Sequence, residues 1–225
     1  MLSLILAAIF FAGIHLGIAG TKLRDRAVAA VGQNTYRVVF SIASLAGIVW
    51  LAMAYKYAPY VATWGVPQWW KPIAIVLMFP AFLLAVTGLR TPNPTAVGME
   101  GLAVHSPEGI VRVTRHPLLI GIGLWALIHL IANGDAASFL FFGALAVTTL
   151  AGTISIDAKR RRALGPAWQS FAAQTSVVPF AAIATGRTQF NPGEIAAWRW
   201  AIAIIAYALI LGGHSHIFGV SPFPA

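Results

Sequence analysis

The sequence predicts an all-α protein, a polytopic membrane helical bundle of about six transmembrane helices. Of the 225 residues, 59% are hydrophobic and only 9% are charged, whereas a soluble domain carries about 25% charged residues. The apolar residues also fall into runs close to the ~20 residues that span a bilayer. We therefore predict one transmembrane domain over residues 1–225, with spans at about 2–19, 38–55, 72–89, 117–132, 136–154 and 196–213.

The first run is interpreted as a retained spanning helix, because it lacks the basic start and the cleavage site of a signal peptide. The fourth run begins at Arg115-His116-Pro117, where proline suits the first turn of a helix. It ends at residues 133–135, Asn-Gly-Asp, which is a stop signal. Because the fifth run starts at the next residue, the fourth and fifth runs are expected to form a tight helical hairpin.

The basic residues indicate how the spans are oriented. They concentrate in three connections, at 20–37, 90–116 and 155–199, whereas the alternate connections hold Lys56 and Lys71. The positive-inside rule places the three basic connections in the cytoplasm. We therefore expect a multi-pass protein of the bacterial inner (cytoplasmic) membrane, with both termini on the non-cytoplasmic side. The net charge of +9 is explained by this orientation, and no nucleic-acid partner is expected.

Two connections are long enough to have structure of their own. Residues 91–114 are rich in proline and end in a short amphipathic piece. Residues 155–176 predict a basic interfacial helix, with Trp168 and Phe171 facing lipid and the arginines facing headgroups. A membrane-surface anchor and a functional lid are both compatible with this second segment.

The candidate functional residues are four histidines within or at the ends of apolar runs: His15, His116, His129 and His214. Burying a polar ring without a partner costs ~1–3 kcal/mol, and ionisable residues in membrane spans face the bundle interior. A zinc site needs three or four close ligands, but the chain has no cysteine and no i, i+4 histidine pair. A haem needs only one or two axial imidazoles in an apolar pocket. A structural role remains the alternative for each histidine.

Several motifs resemble the NnrU family: G-I-H-L-G-I-A-G-T-K-L-R at 13–24, T-R-H-P-L-L-I-G at 114–121, W-A-L-I-H-L-I-A-N-G-D at 125–135 and H-S-H-I-F-G-V-S-P at 214–222. The resemblance covers nearly the whole chain. Bacterial members are associated with denitrification, and the family is similar to the plant 15-cis-zeta-carotene isomerases, which are membrane haem b proteins.

This resemblance implies a haem b cofactor, with His15 and His129 as the axial ligands of the iron. It further implies redox or isomerase-type chemistry on a lipid-soluble small-molecule substrate, or a role supporting respiratory or denitrification proteins. The plant isomerases carry a cysteine three residues before the second ligand, and the matching position here is Ala126. An alternative thiolate ligand is therefore missing from this chain.

Depth in the membrane suggests other ligand pairs. With ~1.5 Å rise per residue, His15 falls at the cytoplasmic half of its span, near the depth of His116. His129 falls toward the outer half, near the depth of His214. Both pairings therefore stay open beside the pair that the resemblance implies. The cytoplasmic ends of the spans supply three candidate partners for haem propionates: Tyr36, Arg37 and Arg115.

A second resemblance concerns Arg115-His116-Pro117 and R-R-A-L-G-P-A-W-Q-S-F at 161–171, which look like the isoprenylcysteine methyltransferase superfamily. It implies S-adenosylmethionine-dependent methylation of a lipid. Those enzymes use a Glu-Glu pair ahead of the basic helix, and here the pair is reduced to Asp157, which favours shared ancestry over shared activity. A third hypothesis is a non-catalytic accessory subunit of a respiratory reductase.

Overall fold

The computed structural model describes residues 1–89 and 91–224, so Arg90, one of the basic residues that the orientation prediction used, lies outside the described residues. The described residues form helices without a β-strand, which confirms the all-α prediction. The chain divides into two compact units. The first unit contains Met1–Pro67 and Ala126–Ser155, and the second contains Gln68–Trp125 and Ile156–Ala225.

In chain order, the α-helices are α1 (Leu2–Ala12), α2 (Lys22–Val31), α3 (Gln33–Lys56), α4 (Trp70–Gly88), α5 (Ile110–Val113), α6 (Pro117–Asn133), α7 (Ala136–Leu164), α8 (Pro166–Gln174), α9 (Ala181–Ala184) and α10 (Ala197–Phe218). A π-helical segment, Gly13–Ala19, continues α1, and 3₁₀ turns occur at Glu100–Val104 and Pro192–Glu194.

Five of the described helices are long and apolar enough to cross a membrane: α1 with its π-helical continuation, α3, α4, α7 and α10. Helix α6 is apolar but shorter, at 17 residues. All six predicted runs therefore fall on helices. Helix α7 continues to Leu164, well beyond its predicted end near 154, because the basic residues that close its apolar run are still good helix formers.

The first unit is organised around the packing of α1 against α3. A side chain at Gly47 would lie 3.1 Å from the Phe10 ring, so the glycine lets the two helices approach closely. The indole N–H of Trp50 donates to the Ser3 hydroxyl at 3.1 Å. Leu51 on the same face of α3 is fully buried. These contacts fix the position of α3 beside the π-helical continuation of α1.

The turn between α6 and α7 follows the predicted stop signal. Gly134 adopts φ +57°, a left-handed conformation that glycine tolerates without a Cβ penalty. Asp135 accepts the backbone N–H of Ser138 at 2.9 Å and so caps the start of α7. The Gly134 carbonyl accepts the N–H of Thr63 at 2.9 Å. The hairpin is therefore held by a cap and by the segment that follows α3.

In the second unit, α4 contacts both α6 and α10. A Cβ at Gly121 of α6 would lie 2.7 Å from the carbonyl oxygen of Ala81 in α4, so the glycine allows the two backbones to meet. The Tyr207 hydroxyl of α10 donates to the carbonyl of Ile75 at 2.7 Å. Close backbone contact and one polar bond thus join these three helices.

The prediction that Trp168 and Phe171 face lipid is wrong. Both side chains are buried, with 1% and 2% exposure, and they pack in one cluster with Val111. The physical reason is that α5 offers these rings an apolar protein surface. An amphipathic pattern in one helix cannot distinguish such a surface from lipid, because both are apolar.

Candidate functional site

The Arg115-His116-Pro117 turn at the start of α6 binds the carboxylate of Asp157 on α7. His116 Nε2 lies 2.7 Å from Oδ1 of Asp157. The Nε of Arg115 donates to Oδ2 at 2.8 Å, and its Nη2 lies 2.7 Å from the same oxygen. The three side chains are little exposed, at 14% for Arg115, 1% for His116 and 12% for Asp157. The result is a buried network in which one carboxylate serves two neighbouring side chains.

The main chain of this turn is also fixed. The Arg115 carbonyl accepts the amide of Asn93 at 2.9 Å and the hydroxyl of Thr95 at 3.0 Å. The Arg115 N–H donates to the carbonyl of Ser176 at 2.9 Å, and its guanidinium donates to the carbonyl of Thr175 at 3.2 Å. Arg115, a predicted propionate partner, is therefore already bonded through its side chain and its backbone.

His116 differs from a fully satisfied buried histidine in one atom. Its Nδ1 is buried and has no hydrogen-bond partner among the described residues. When Nε2–H donates to Asp157, Nδ1 carries a lone pair, since a neutral imidazole has one donor and one acceptor nitrogen. Buried polar atoms without a partner are uncommon. Nδ1 is therefore available to a donor group of a bound molecule.

A cavity of about 270 Å³ lies in the same unit. Its wall is partly apolar, including Phe171 and Val111, and partly polar, including His105, Glu108 and Arg199. The polar and apolar groups together can hold a small amphiphilic molecule.

Glu194, in the wall of this cavity, forms an ion pair with Arg112. Arg112 contacts Glu194 through Nε at 2.8 Å and through Nη2 at 3.0 Å. The backbone N–H of Gly109 donates to the same carboxylate at 2.6 Å. The hydrogen bonds from Arg112, aided by that of Gly109, hold the pKa of Glu194 below its ordinary value, and they outweigh the opposing effect of burial.

His15 lies in the π-helical segment of the first unit, a distortion that occurs frequently at functional sites. Its Nδ1 is 2.7 Å from the carbonyl oxygen of Phe11, and its Nε2 is 3.2 Å from the hydroxyl of Ser44 on α3. The rings of Phe11 and Phe40 lie beside the imidazole, with centroids at 4.4 and 5.2 Å. His15 is thus enclosed by two aromatic rings and bonded on both sides.

Tyr36 and Arg37 occupy the start of α3, one turn before Phe40. The Tyr36 ring stacks on Phe40 with centroids 5.8 Å apart, and Phe40 in turn contacts His15. The Tyr36 hydroxyl is buried and has no hydrogen-bond partner among the described residues. A buried hydroxyl donor therefore lies along the same row of rings as His15.

The other predicted ligands have local contacts. The ring of His129 on α6 stacks on Phe142 of α7 with centroids 5.0 Å apart. His214 Nδ1 lies 2.8 Å from the carbonyl oxygen of Val220 near the end of α10. His15 and His129 belong to the first unit, whereas His116 and His214 belong to the second. Within the described part of the chain, no three His, Asp or Glu side chains come together to hold a metal ion.

Ser44 and Phe40 were missed by sequence reasoning. A serine and a phenylalanine inside an apolar run give no signal by themselves, because either suits a membrane helix. The available clue is their spacing, since residues four apart share one face of a helix. The sequence does not show that this face of α3 contacts His15, because that requires knowing that α1 packs against α3.

The fold and these polar groups define an integral membrane protein of the all-α class, with histidines inside apolar helices. The chain belongs to the NnrU family, because the family model described as NnrU protein matches residues 3–222. No solved structure matches the chain.

Two curated relatives carry the name 15-cis-zeta-carotene isomerase, chloroplastic. The protein from Zea mays is 31% identical over 195 residues, which cover 82% of this chain and 51% of the relative. The protein from Arabidopsis thaliana is 27% identical over 190 residues, with the same two coverages. This chain therefore spans about half the length of both relatives.

Proposed function

We propose that this protein binds haem within its membrane helices and performs isomerase-type chemistry on a lipid-soluble polyene. The observation that carries the proposal is the bonding of His15. Because a carbonyl oxygen only accepts, the Nδ1 beside Phe11 carries the ring proton, and Nε2 has the lone pair that an iron needs. Metal-bound histidines commonly donate their other nitrogen to a backbone carbonyl in this way.

The surroundings of His15 support the same proposal. Phe11 and Phe40 give the imidazole an apolar environment. The orphan hydroxyl of Tyr36 is the donor that we assign to a propionate, and the positive charge of Arg37, the next residue of α3, suits the same group. His129, in the same unit, is the second axial ligand that we propose. The similarity to carotene isomerases supports the choice of a polyene.

When bound, a reduced haem iron would supply electron density that lowers the barrier to rotation about a substrate double bond. The residues of this chain have other tasks. Phe11 orients the imidazole through its carbonyl, and a hydrogen bond of this kind raises the basicity of the ligating nitrogen. The apolar rings around His15 exclude water, and the hydrophobic surroundings of a haem are one of the factors that set its potential.

The test is the absorption spectrum of the detergent-purified protein after haem supplementation, oxidised and then reduced. We expect a Soret band that is lost or strongly shifted in His15→Ala and in His129→Ala. His105→Ala is the matched control, because His105 is exposed in a loop of the second unit. A wild-type protein without a Soret band, or a band unaffected by both ligand variants, would overturn the proposal.

The finer localisation is part of the proposal. We assign the protein to a bacterial inner membrane with both termini on the non-cytoplasmic side, on the strength of the basic connections. The chain has no native cysteine, so a single cysteine at Asp25 or at Tyr60 can be labelled without reaction elsewhere in the chain. The proposed topology places these two positions on opposite sides of the membrane. Labelling of intact cells by an impermeant maleimide should modify Tyr60→Cys and spare Asp25→Cys. The reverse pattern would invert the topology.

A second candidate function is S-adenosylmethionine-dependent methylation of a lipid. The observation that favours it is the orphan Nδ1 of His116 in the unit that also holds the 270 Å³ cavity. Calorimetry with S-adenosylmethionine decides this alternative. Binding heat that disappears in Ser106→Trp, a variant that fills the cavity from an exposed position of its wall, would support it, whereas no heat with the wild-type protein would reject it.

A further inference from the structure

Ser44 contacts the nitrogen of His15 that would have to bind iron. Its hydroxyl oxygen lies 3.2 Å from Nε2. Since Nδ1 of His15 carries the proton in the neutral ring, Nε2 accepts and the hydroxyl of Ser44 donates. The one lone pair of the imidazole is thus already engaged by a side chain of α3.

The packing of the first unit makes this bond a fixed feature of the helix pair. Ser44 lies one turn after Phe40 and three residues before Gly47, and all three positions face α1. The Phe10 ring packs at Gly47, and the Phe40 ring packs on His15. Because contacts on both sides of Ser44 set the spacing of α1 and α3, the hydroxyl is held at His15 by helix packing.

We propose that Ser44 is a latch on His15, a positioning residue that occupies Nε2 until iron displaces it. This inference rests on the proposed function, and it adds a competitor that tunes how tightly haem is held. When Nε2 coordinates iron, it can no longer accept the Ser44 hydroxyl. The serine hydroxyl can then rotate and donate to a backbone carbonyl of the preceding helical turn. Breaking the bond to His15 therefore leaves no unsatisfied donor.

The latch has a second consequence that does not involve haem. A nitrogen whose lone pair accepts a hydrogen bond is a weaker nucleophile. Ser44 should therefore slow the reaction of His15 with a small electrophile that enters detergent micelles. Diethylpyrocarbonate is such a probe: the imidazole nitrogen attacks one carbonyl carbon, the carbonate leaving group departs as ethanol and carbon dioxide, and the ring keeps a carbethoxy group.

The experiment compares Ser44→Ala with the wild-type protein in two measurements. In haem titrations followed at the Soret band, Ser44→Ala should bind about 2- to 10-fold more tightly, the factor that one hydrogen bond of ordinary net strength represents. In haem-free protein, diethylpyrocarbonate should modify His15 faster in Ser44→Ala, as read by peptide mass spectrometry. Ser44→Thr keeps the hydroxyl and should restore the wild-type values in both measurements.

Ser41→Ala is the matched control, because Ser41 lies on the same helix and is exposed. It should leave both measurements unchanged. Equal or weaker haem binding by Ser44→Ala, together with an unchanged rate of His15 modification, would overturn the latch. A wild-type protein that never develops a Soret band, while Ser44→Ala still speeds the modification, would instead reject the proposed haem function and leave the bond to His15 established.

Discussion

Asp157 offers the sharpest test of how a charged group is kept inside this helical protein. Its two carboxylate oxygens receive His116 on one side and Arg115 on the other. In Asp157→Asn, the amide keeps the shape of the side chain but replaces one acceptor oxygen by a donor. That donor would face N–H groups of the partners. The variant therefore removes the negative charge and leaves the Arg115 guanidinium without its counter-ion.

The size of the effect follows from burial. Breaking a buried ion pair by removing one partner costs about 3–5 kcal/mol, because the remaining charge is left uncompensated. Arg115 is 14% exposed and Asp157 12%, so some water reaches the pair, and we expect the lower end of that range, about 3 kcal/mol. In a chain of this length, 1 kcal/mol corresponds to a shift of about 2–4 °C in Tm. Asp157→Asn should therefore lower Tm by roughly 6–12 °C.

Thermal unfolding in detergent, followed by tryptophan fluorescence, measures this shift. The matched control is Asp25→Asn, because the Asp25 carboxylate is 56% exposed and pairs with its sequence neighbour Arg24. Exposed pairs contribute about 0–1 kcal/mol, so the control should melt within about 4 °C of the wild-type protein. A Tm for Asp157→Asn that matches the control would refute the claim that this carboxylate holds the turn together.

Two further predictions concern helix contact and pH. Gly121→Ala should lower the free energy of unfolding by about 1–3 kcal/mol, because its Cβ would meet the Ala81 backbone at 2.7 Å. The control is Gly143→Ala, whose Cβ has its nearest neighbour at 3.8 Å and which should melt like the wild-type protein. Because Arg112 lowers the pKa of Glu194 in the folded state, that carboxylate stabilises the fold above its ordinary pKa of 4.5 and loses this contribution as the pH falls through the lowered value. Chemical unfolding at pH 7 and at pH 3 should show a larger loss of stability in the wild-type protein than in Glu194→Gln, and equal losses would contradict the pair.

The apolar helices could be predicted from the sequence because hydropathy is a local property. A run of apolar residues needs no knowledge of its neighbours to be assigned to the membrane, and all six runs fall on helices. The Asn-Gly-Asp turn could also be predicted from the sequence, since Gly134 supplies the left-handed conformation and Asp135 supplies the cap. The end of α7 could not be predicted. The change from apolar to basic residues marks the end of an apolar run, but it does not indicate where the helix ends.

The polar contacts of the site could be predicted only in part. His116 and Asp157 were each singled out by the sequence, but they lie 41 residues apart and nothing local shows that they share a hydrogen bond. The prediction that Trp168 faces lipid was wrong for a different reason. The amphipathic pattern of its helix is real, but the apolar face packs on α5 and on the 3₁₀ turn Glu100–Val104, which are both too short to be recognised from periodicity.

His15 and His116 differ in the strength of the hydrogen bond that each makes through Nε2. His116 is bonded to an ionised carboxylate that also binds Arg115, and hydrogen bonds to charged groups are roughly twice as strong as neutral ones. His15 is held at Nε2 by a neutral hydroxyl at 3.2 Å, near the long end of the range for a hydrogen bond. A ligand that competes for Nε2 therefore meets less resistance at His15 than at His116, whose unpaired Nδ1 is a separate position. This difference is the physical reason to look for the cofactor at His15 and to assign a structural role to the bond between His116 and Asp157.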